Sequence, residues 1–72
     1  MYLAELIDFL GVRRVARACC VDPAAVHRWK TNGLPSSPRY AALRANHERS
    51  IAKLAGMRVG ELRKAIAEDE GQ

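Results

Sequence analysis

The sequence predicts an all-α fold, a small bundle of about five helices. Apolar residues recur at steps of three and four along most of the chain, which is the spacing of one face of a helix. Aromatic residues make up only 6% of the chain although hydrophobic residues make up 49%, a composition that favours helices over strands. Proline and glycine fall between the periodic stretches, where they start and end helices.

The length of 72 residues is enough for one domain. We assign residues 1–67 to this domain and residues 68–72 to an acidic C-terminal tail that we expect to be frayed. The formal net charge is +4, but residues 1–67 hold twelve basic and five acidic residues, a charge of +7. This balance indicates a polyanionic partner, and a solvated basic surface is the alternative. Because so small a core is marginal, dimerisation is a natural source of further buried surface.

Two short helices are predicted at the start of the chain. The first runs from about Tyr2 to Leu10, and its apolar stripe consists of Leu3, Leu6, Ile7 and Leu10. Gly11 is expected to end it in the left-handed conformation that glycine adopts easily. The second helix runs from Val12 to about Cys19, and its shared apolar face consists of Val12, Val15, Ala16 and Cys19.

A third helix is predicted from Pro23 to about Lys30. Asp22 is expected to cap it by accepting hydrogen bonds from free backbone N–H groups. Proline suits the first helical position because it lacks an N–H. Asn32 and Gly33 end the helix. Its expected inward positions are Ala25, Val26 and Trp29, with the tryptophan as a core anchor rather than a stacking platform.

Two more helices are predicted in the second half. One follows the Ser37-Pro38 start signal and runs to about residue 55, with a break near Asn46 as an alternative. Its apolar stripe consists of Tyr40, Leu43, His47, Ile51 and Leu54. The last spans about residues 58–67 and carries Val59, Leu62 and Ile66. We expect these apolar residues in the core rather than at a dimer surface.

The segment from Val12 to Thr31 meets most requirements of a helix-turn-helix. A small residue is needed where the two helices cross, and Ala16 supplies it. The corner needs a residue in the left-handed conformation, usually glycine, and Cys20 stands there instead. The capping position holds Asp22, and the positions that must be buried hold Val21, Val26 and Trp29. The pattern therefore predicts that the second helix of this pair enters the major groove of DNA.

The run from Met1 to Gly11, together with the unit from Val12 to Thr31, resembles the small Cro repressors of temperate phages. More broadly it resembles the Cro/CI-type helix-turn-helix superfamily. The resemblance implies an all-α domain that binds near-palindromic double-stranded operator DNA as a homodimer and represses transcription. Cys20 departs from the usual glycine, and Arg13 stands where the family often has a glutamine for a phosphate contact. Beyond Gly33 the match is loose, so no dimer surface is carried over.

The resemblance also implies which residues contact DNA. Base contacts are expected from Pro23, Ala24, His27 and Arg28. Arg28 can donate a two-pronged contact to guanine, and His27 can donate or accept according to its tautomer. Phosphate contacts are predicted for Arg13, Arg14, Arg17, Lys30, Thr31, Asn32 and Arg39. The alternative for these residues is a solvated polar surface.

Two other functions remain open at the level of sequence. One is a DNA-binding regulator of a toxin–antitoxin or other mobile-element operon, which presents its C-terminal half to a partner protein. The other is a protein–protein adaptor that uses the helix-turn-helix as a scaffold and meets an acidic partner through its arginines. A salt-dependent, sequence-selective DNA complex separates both DNA-binding functions from the adaptor.

Enzymatic, metal and cofactor chemistry is not expected. Cys19, Cys20, His27 and His47 lack the spacing of a zinc site, and no base is placed to activate a cysteine nucleophile. No small-molecule ligand is evident. Adjacent cysteines are not a secreted disulfide framework, and no signal peptide or membrane span is recognised. We therefore expect the protein in the cytoplasm of a bacterial or phage-infected cell.

Overall fold

The computed structural model describes residues 2–35 and 37–70, and within these ranges the fold is all-α, as predicted. It consists of α1 (Tyr2–Leu10), α2 (Val12–Cys19), α3 (Pro23–Asn32), a short 3-10 helix (Pro38–Tyr40), α4 (Ala41–Ala55) and α5 (Val59–Glu70). The bounds of α1 and α2 are those predicted, and α3 is two residues longer than predicted.

Each helix contributes one fully buried side chain to a single core. These side chains are Ile7, Val15, Val26, Ile51 and Leu62, each 0% exposed. Burying an aliphatic side chain of this size is worth roughly 1.5–3 kcal/mol, so the five together hold the bundle. Helix α2 packs against α1, α3 and α4. This central position explains why an eight-residue helix forms here although it would not be stable alone.

Gly11 makes the sharp reversal between α1 and α2. Its N–H donates to the carbonyl of Ile7 at 2.7 Å, and its φ of 98° lies where side chains other than hydrogen are strained. Its ψ of 128° is extended. The predicted left-handed helical cap at Gly11 is therefore wrong in its ψ angle. The φ angle is positive, but the extended ψ leads the chain directly into α2.

Helix α4 differs from its prediction in its first turns. Ser37 and Pro38 start a 3-10 helix, in which the Ser37 hydroxyl accepts a hydrogen bond from the Arg39 N–H at 3.4 Å. The α-helix that follows is unbroken at Asn46. Tyr40 and Leu43 were expected in the core, but they are 46% and 50% exposed. The buried residues of α4 all lie at position 48 or later, and its first turns are separated from α3 by a cavity.

Glu48 is a buried carboxylate that the sequence pattern did not reveal. It lies on α4 and is 6% exposed. Its Oε1 accepts a hydrogen bond from Nε of Arg63 on α5 at 2.9 Å, and its Oε2 lies 3.5 Å from Nε of Arg44, one turn earlier on α4. A buried charge is tolerated only when it is paired. The two arginines therefore let Glu48 join α4 to α5.

Helix α5 continues three residues beyond its predicted end at Ala67. Residues 68–70, expected to be frayed, are helical, and residues 71–72 lie outside the described ranges. The Tyr2 N–H donates to Oδ2 of Asp69 at 3.0 Å. An N–H in the first turn of a helix has no partner inside that helix. Asp69 satisfies it and so links the start of α1 to the end of α5.

Candidate nucleic-acid interface

The turn between α2 and α3 is closed by two backbone hydrogen bonds. The Val21 N–H donates to the Ala16 carbonyl at 2.9 Å, and the Cys20 N–H donates to the Arg17 carbonyl at 3.3 Å. This is the Schellman pattern, which needs a left-handed residue just after the helix. Cys20 occupies that position with φ 57° and ψ 44°. The predicted location of the left-handed corner is therefore confirmed.

Asp22 stands at the N-cap of α3, as predicted, but it does not cap through its side chain. Its backbone is extended, with φ −71° and ψ 148°, and the side chain makes no capping hydrogen bond. The Asp22 carbonyl accepts from the N–H groups of Ala25 and Val26 at 3.0 and 3.4 Å. The capping role of the carboxylate is therefore corrected. Pro23 leaves one fewer N–H to satisfy at this end.

The inward face of α3 is anchored by two side chains. Val26 is 0% and Trp29 5% exposed, which confirms the tryptophan as a core anchor. Its ring lies against the imidazole of His47 on α4, with centroids 5.0 Å apart and planes inclined by 40°. Ala25 is half-buried beside them. These contacts fix the rotation of α3 about its own axis.

Since the inward face is fixed, the outward face is fixed as well. All four predicted base-contacting residues are exposed and follow one another along this outward face: Pro23, Ala24, His27 and Arg28. Thr31 and Asn32 are also exposed, at the end of the same helix. The arrangement presents two flexible hydrogen-bonding side chains in the middle of the helix and small apolar groups at its start.

The five cations among the predicted phosphate-contacting residues fall into three groups. Arg13, Arg14 and Arg17 are exposed on α2 and line one cavity of about 280 Å³ together with Ala18 and Leu54. Arg39 is exposed in the 3-10 helix. Lys30 differs from them, since its ammonium forms an ion pair with the carboxylate of Asp8 on α1. That ion pair links α1 to α3 and competes with any phosphate contact.

Two features of this region were not predicted from the sequence. Lys53 and Ser50 of α4 line a second cavity of about 490 Å³ that shares Ala18 and Leu54 with the first. A third and larger cavity, of about 630 Å³, lies between α3 and the start of α4, beside the exposed Tyr40 and Leu43. No local pattern could indicate these cavities, because they arise from the packing of separate helices against one another.

Burial shifts the pKa values of two side chains in this region, Cys19 and His47. Burial and, to a lesser extent, the neighbouring Cys20 raise the pKa of Cys19 to about 11. Its thiol therefore stays protonated near neutral pH and is a poor nucleophile. Burial lowers the pKa of His47, because a charged imidazole loses hydration between α3 and α4.

Within the described ranges, no three potential metal-binding side chains of the His, Cys, Asp and Glu types come together. The helices described there are too short or too polar to cross a membrane. No family model, curated protein or solved structure matches the chain. Its function is therefore inferred from its own residues and their geometry.

Proposed function

We propose that the protein is a sequence-specific double-stranded DNA-binding transcriptional regulator, a Cro-like phage or prophage repressor that acts in the cytoplasm without a cofactor. The observation that carries the proposal is the orientation of α3. Val26 and Trp29 are buried on one side of this helix, and His27 and Arg28 are exposed on the other. An α-helix that presents such an edge fits the major groove of B-DNA, which is about 12 Å wide.

Sequence reading is assigned to the middle and the start of α3. The planar guanidinium of Arg28 can donate two parallel hydrogen bonds to O6 and N7 of guanine, which is worth about 1–3 kcal/mol of discrimination. His27 donates to guanine or accepts from a base amine. Pro23 and Ala24 offer apolar contacts to thymine methyl groups. Neither His27 nor Arg28 forms an ion pair with another described residue.

Affinity is assigned to the cations on the neighbouring elements. The arginines of α2 and Arg39 are exposed, and so are Thr31 and Asn32 at the end of α3. Neutralising DNA phosphates releases counterions, so binding weakens steeply as salt rises. Lys30 is the weakest candidate in this set, because Asp8 already partly neutralises it.

A homodimer would bring two copies of α3 to successive major grooves. Half-sites of a near-palindrome lie about 34 Å apart along B-DNA. The molecule measures 28 × 27 × 21 Å, so two copies side by side have the size to span this distance. Dimerisation also adds buried surface to a core that draws on a short chain.

The proposal is tested by measuring binding to a duplex from the region flanking the protein's own gene and to a shuffled duplex of equal composition. We expect selective binding by the wild type and a loss of selectivity of about tenfold or more for Arg28→Ala. Arg58→Ala is the matched control, because Arg58 is an exposed arginine outside the interface. Equal binding of both duplexes by the wild type would overturn the proposal.

A further inference from the structure

A groove runs along the surface between α2 and α4. We call it the α2–α4 groove and define it by Arg13, Arg14, Arg17 and Ala18 on α2 and Lys53 and Leu54 on α4. It consists of the two adjoining cavities of about 280 and 490 Å³, which share Ala18 and Leu54. The Sγ of Cys19 lies 3.9 Å from the His47 carbonyl, so α2 and α4 pack directly against each other.

Among the described residues that line the rims of the α2–α4 groove, four are cations and none is an acid. Arg13, Arg14 and Arg17 form one rim, and Lys53 lies on the other. Among the described residues, none of the four has a carboxylate oxygen within 4 Å, whereas Lys30, Arg44 and Arg63 each have one. Like charges gathered in one concave surface repel each other and attract anions. The groove therefore selects a negatively charged occupant.

The floor of the groove consists of small side chains and the apolar Leu54. Ala18 and Ser50 have short side chains, and Leu54 is half-buried between the rims. Two packed helices lie about 8–10 Å apart, which leaves room for a third helix above short side chains. A phosphodiester chain gains nothing from apolar surface, but an amphipathic helix buries its apolar stripe there while its acidic flanks reach both rims.

The groove and the proposed DNA-reading face lie on different elements. No residue of α3 lines either cavity of the groove. The exposed residues of α3 stay accessible when the groove is filled. The arginines of α2 are also assigned to DNA phosphates, so an occupant of the groove and a duplex on α3 compete for these side chains.

We propose that the α2–α4 groove docks an acidic amphipathic helix of a partner protein. The four cations favour a partner with negative charge, and the apolar floor favours one with an apolar stripe. Such docking gives the DNA-binding regulator of the preceding section a contact through which another protein recruits it or removes it. The docking itself does not depend on DNA reading, so the two proposals fail separately.

The test uses a fluorescent synthetic peptide of about 15 residues, with a leucine and alanine stripe flanked by glutamates. A scrambled peptide keeps the composition but destroys the stripe, and a second control replaces every glutamate by lysine. Fluorescence anisotropy is recorded at about 0.1 M salt, where exposed charges still act over about 10 Å. The protein variants are Arg14→Glu, Lys53→Glu and the double variant, with Lys64→Glu as a charge-matched control on α5.

We expect the acidic amphipathic peptide to bind more tightly than either control peptide. The double variant should weaken binding by about tenfold or more, because repulsion replaces attraction at both rims, whereas Lys64→Glu should change it less than about twofold. Peptide binding should weaken with a duplex present, because both ligands use the arginines of α2. The proposal is overturned if the scrambled peptide binds equally or the double variant binds normally.

Discussion

Cys20 and Gly56 occupy the same position in two equivalent turns. Gly56 ends α4 with φ 71° and ψ 30°, and its turn is closed by hydrogen bonds from Gly56 to Lys53 at 3.2 Å and from Met57 to Ala52 at 2.9 Å. Cys20 ends α2 through the same pattern of bonds. Among the described residues, Cys20 is the one non-glycine residue with a positive φ. A left-handed conformation costs such a residue about 1–2 kcal/mol, so the turn before α3 is strained where the turn after α4 is not.

The substitution Cys20→Gly should therefore stabilise the protein. Relief of the strain exceeds the extra chain entropy that glycine brings to the unfolded state, about 0.5–1 kcal/mol, so we expect a net gain of about 0.5–1 kcal/mol. Urea unfolding followed by circular dichroism measures it. Gly56→Ala is the mirror control and should destabilise by about 1 kcal/mol. An unchanged or lower stability of Cys20→Gly would show that Cys20 makes contacts that offset its strain.

Arg63→Ala should destabilise the bundle more than Arg44→Ala. Arg63 donates the shorter bond to the buried Glu48, 2.9 Å against 3.5 Å, and joins two helices rather than two turns of one. Because Arg63 is half exposed, we expect a loss of about 1 kcal/mol rather than the larger cost of a fully buried pair. Urea unfolding compares both with Lys64→Ala, which should be close to neutral. Equal stability of all three variants would contradict the role given to Glu48.

Lowering the pH should weaken the fold through His47. Burial holds its pKa in the folded protein below the usual 6.5. The unfolded chain therefore takes up the proton first, and stability falls as the pH drops below 6.5 through the lower folded value. Unfolding measured between about pH 7.5 and 5.5 should show this loss, and His47→Gln should reduce it. Fluorescence of Trp29, the single tryptophan, reports protonation of the imidazole directly because the two rings are 5.0 Å apart. A titration midpoint above 6.5 would contradict the predicted loss of stability at low pH.

Removing an arginine of α2 should flatten the salt dependence of DNA binding. Arg17→Ala should reduce the slope of log K against log salt concentration by about 0.9, the value for one lost phosphate contact. Lys30→Ala should change the slope less, because Lys30 is already paired with Asp8. Binding measured between about 50 and 200 mM salt gives both slopes. A larger change for Lys30→Ala than for Arg17→Ala would reverse the assignment.

The first half of the chain could be predicted closely because its boundaries are set by local chemistry. Gly11 and the Asp22-Pro23 pair define α1, α2 and the start of α3 within a few residues, and the apolar periodicity between them is regular. The left-handed corner at Cys20 could be located from the spacing of the motif alone. Two details were wrong: Gly11 has an extended ψ instead of a left-handed helical one, and the Asp22 side chain makes no capping hydrogen bond.

The structure of the second half depends on tertiary contacts that the sequence pattern does not reveal. Tyr40 and Leu43 continue the apolar stripe of α4, but no helix lies against them, so periodicity overestimated the core. Glu48 is a charged residue, and its burial depends on Arg63, fifteen residues away. Lys53 gains its place in the α2–α4 groove only when α4 packs against α2. Each of these features follows from tertiary packing rather than from local propensity.

The most direct test of the central claim is selection of bound duplexes from a randomised library by the wild type and by Arg28→Ala. If α3 reads DNA, the wild type enriches a near-palindromic site with one guanine repeated in each half-site, about one helical turn apart. The Arg28→Ala variant then loses the preference at that guanine and keeps it elsewhere. A wild type that enriches no sequence, or a variant that enriches the same site unchanged, would contradict the assignment of α3 as the reading helix.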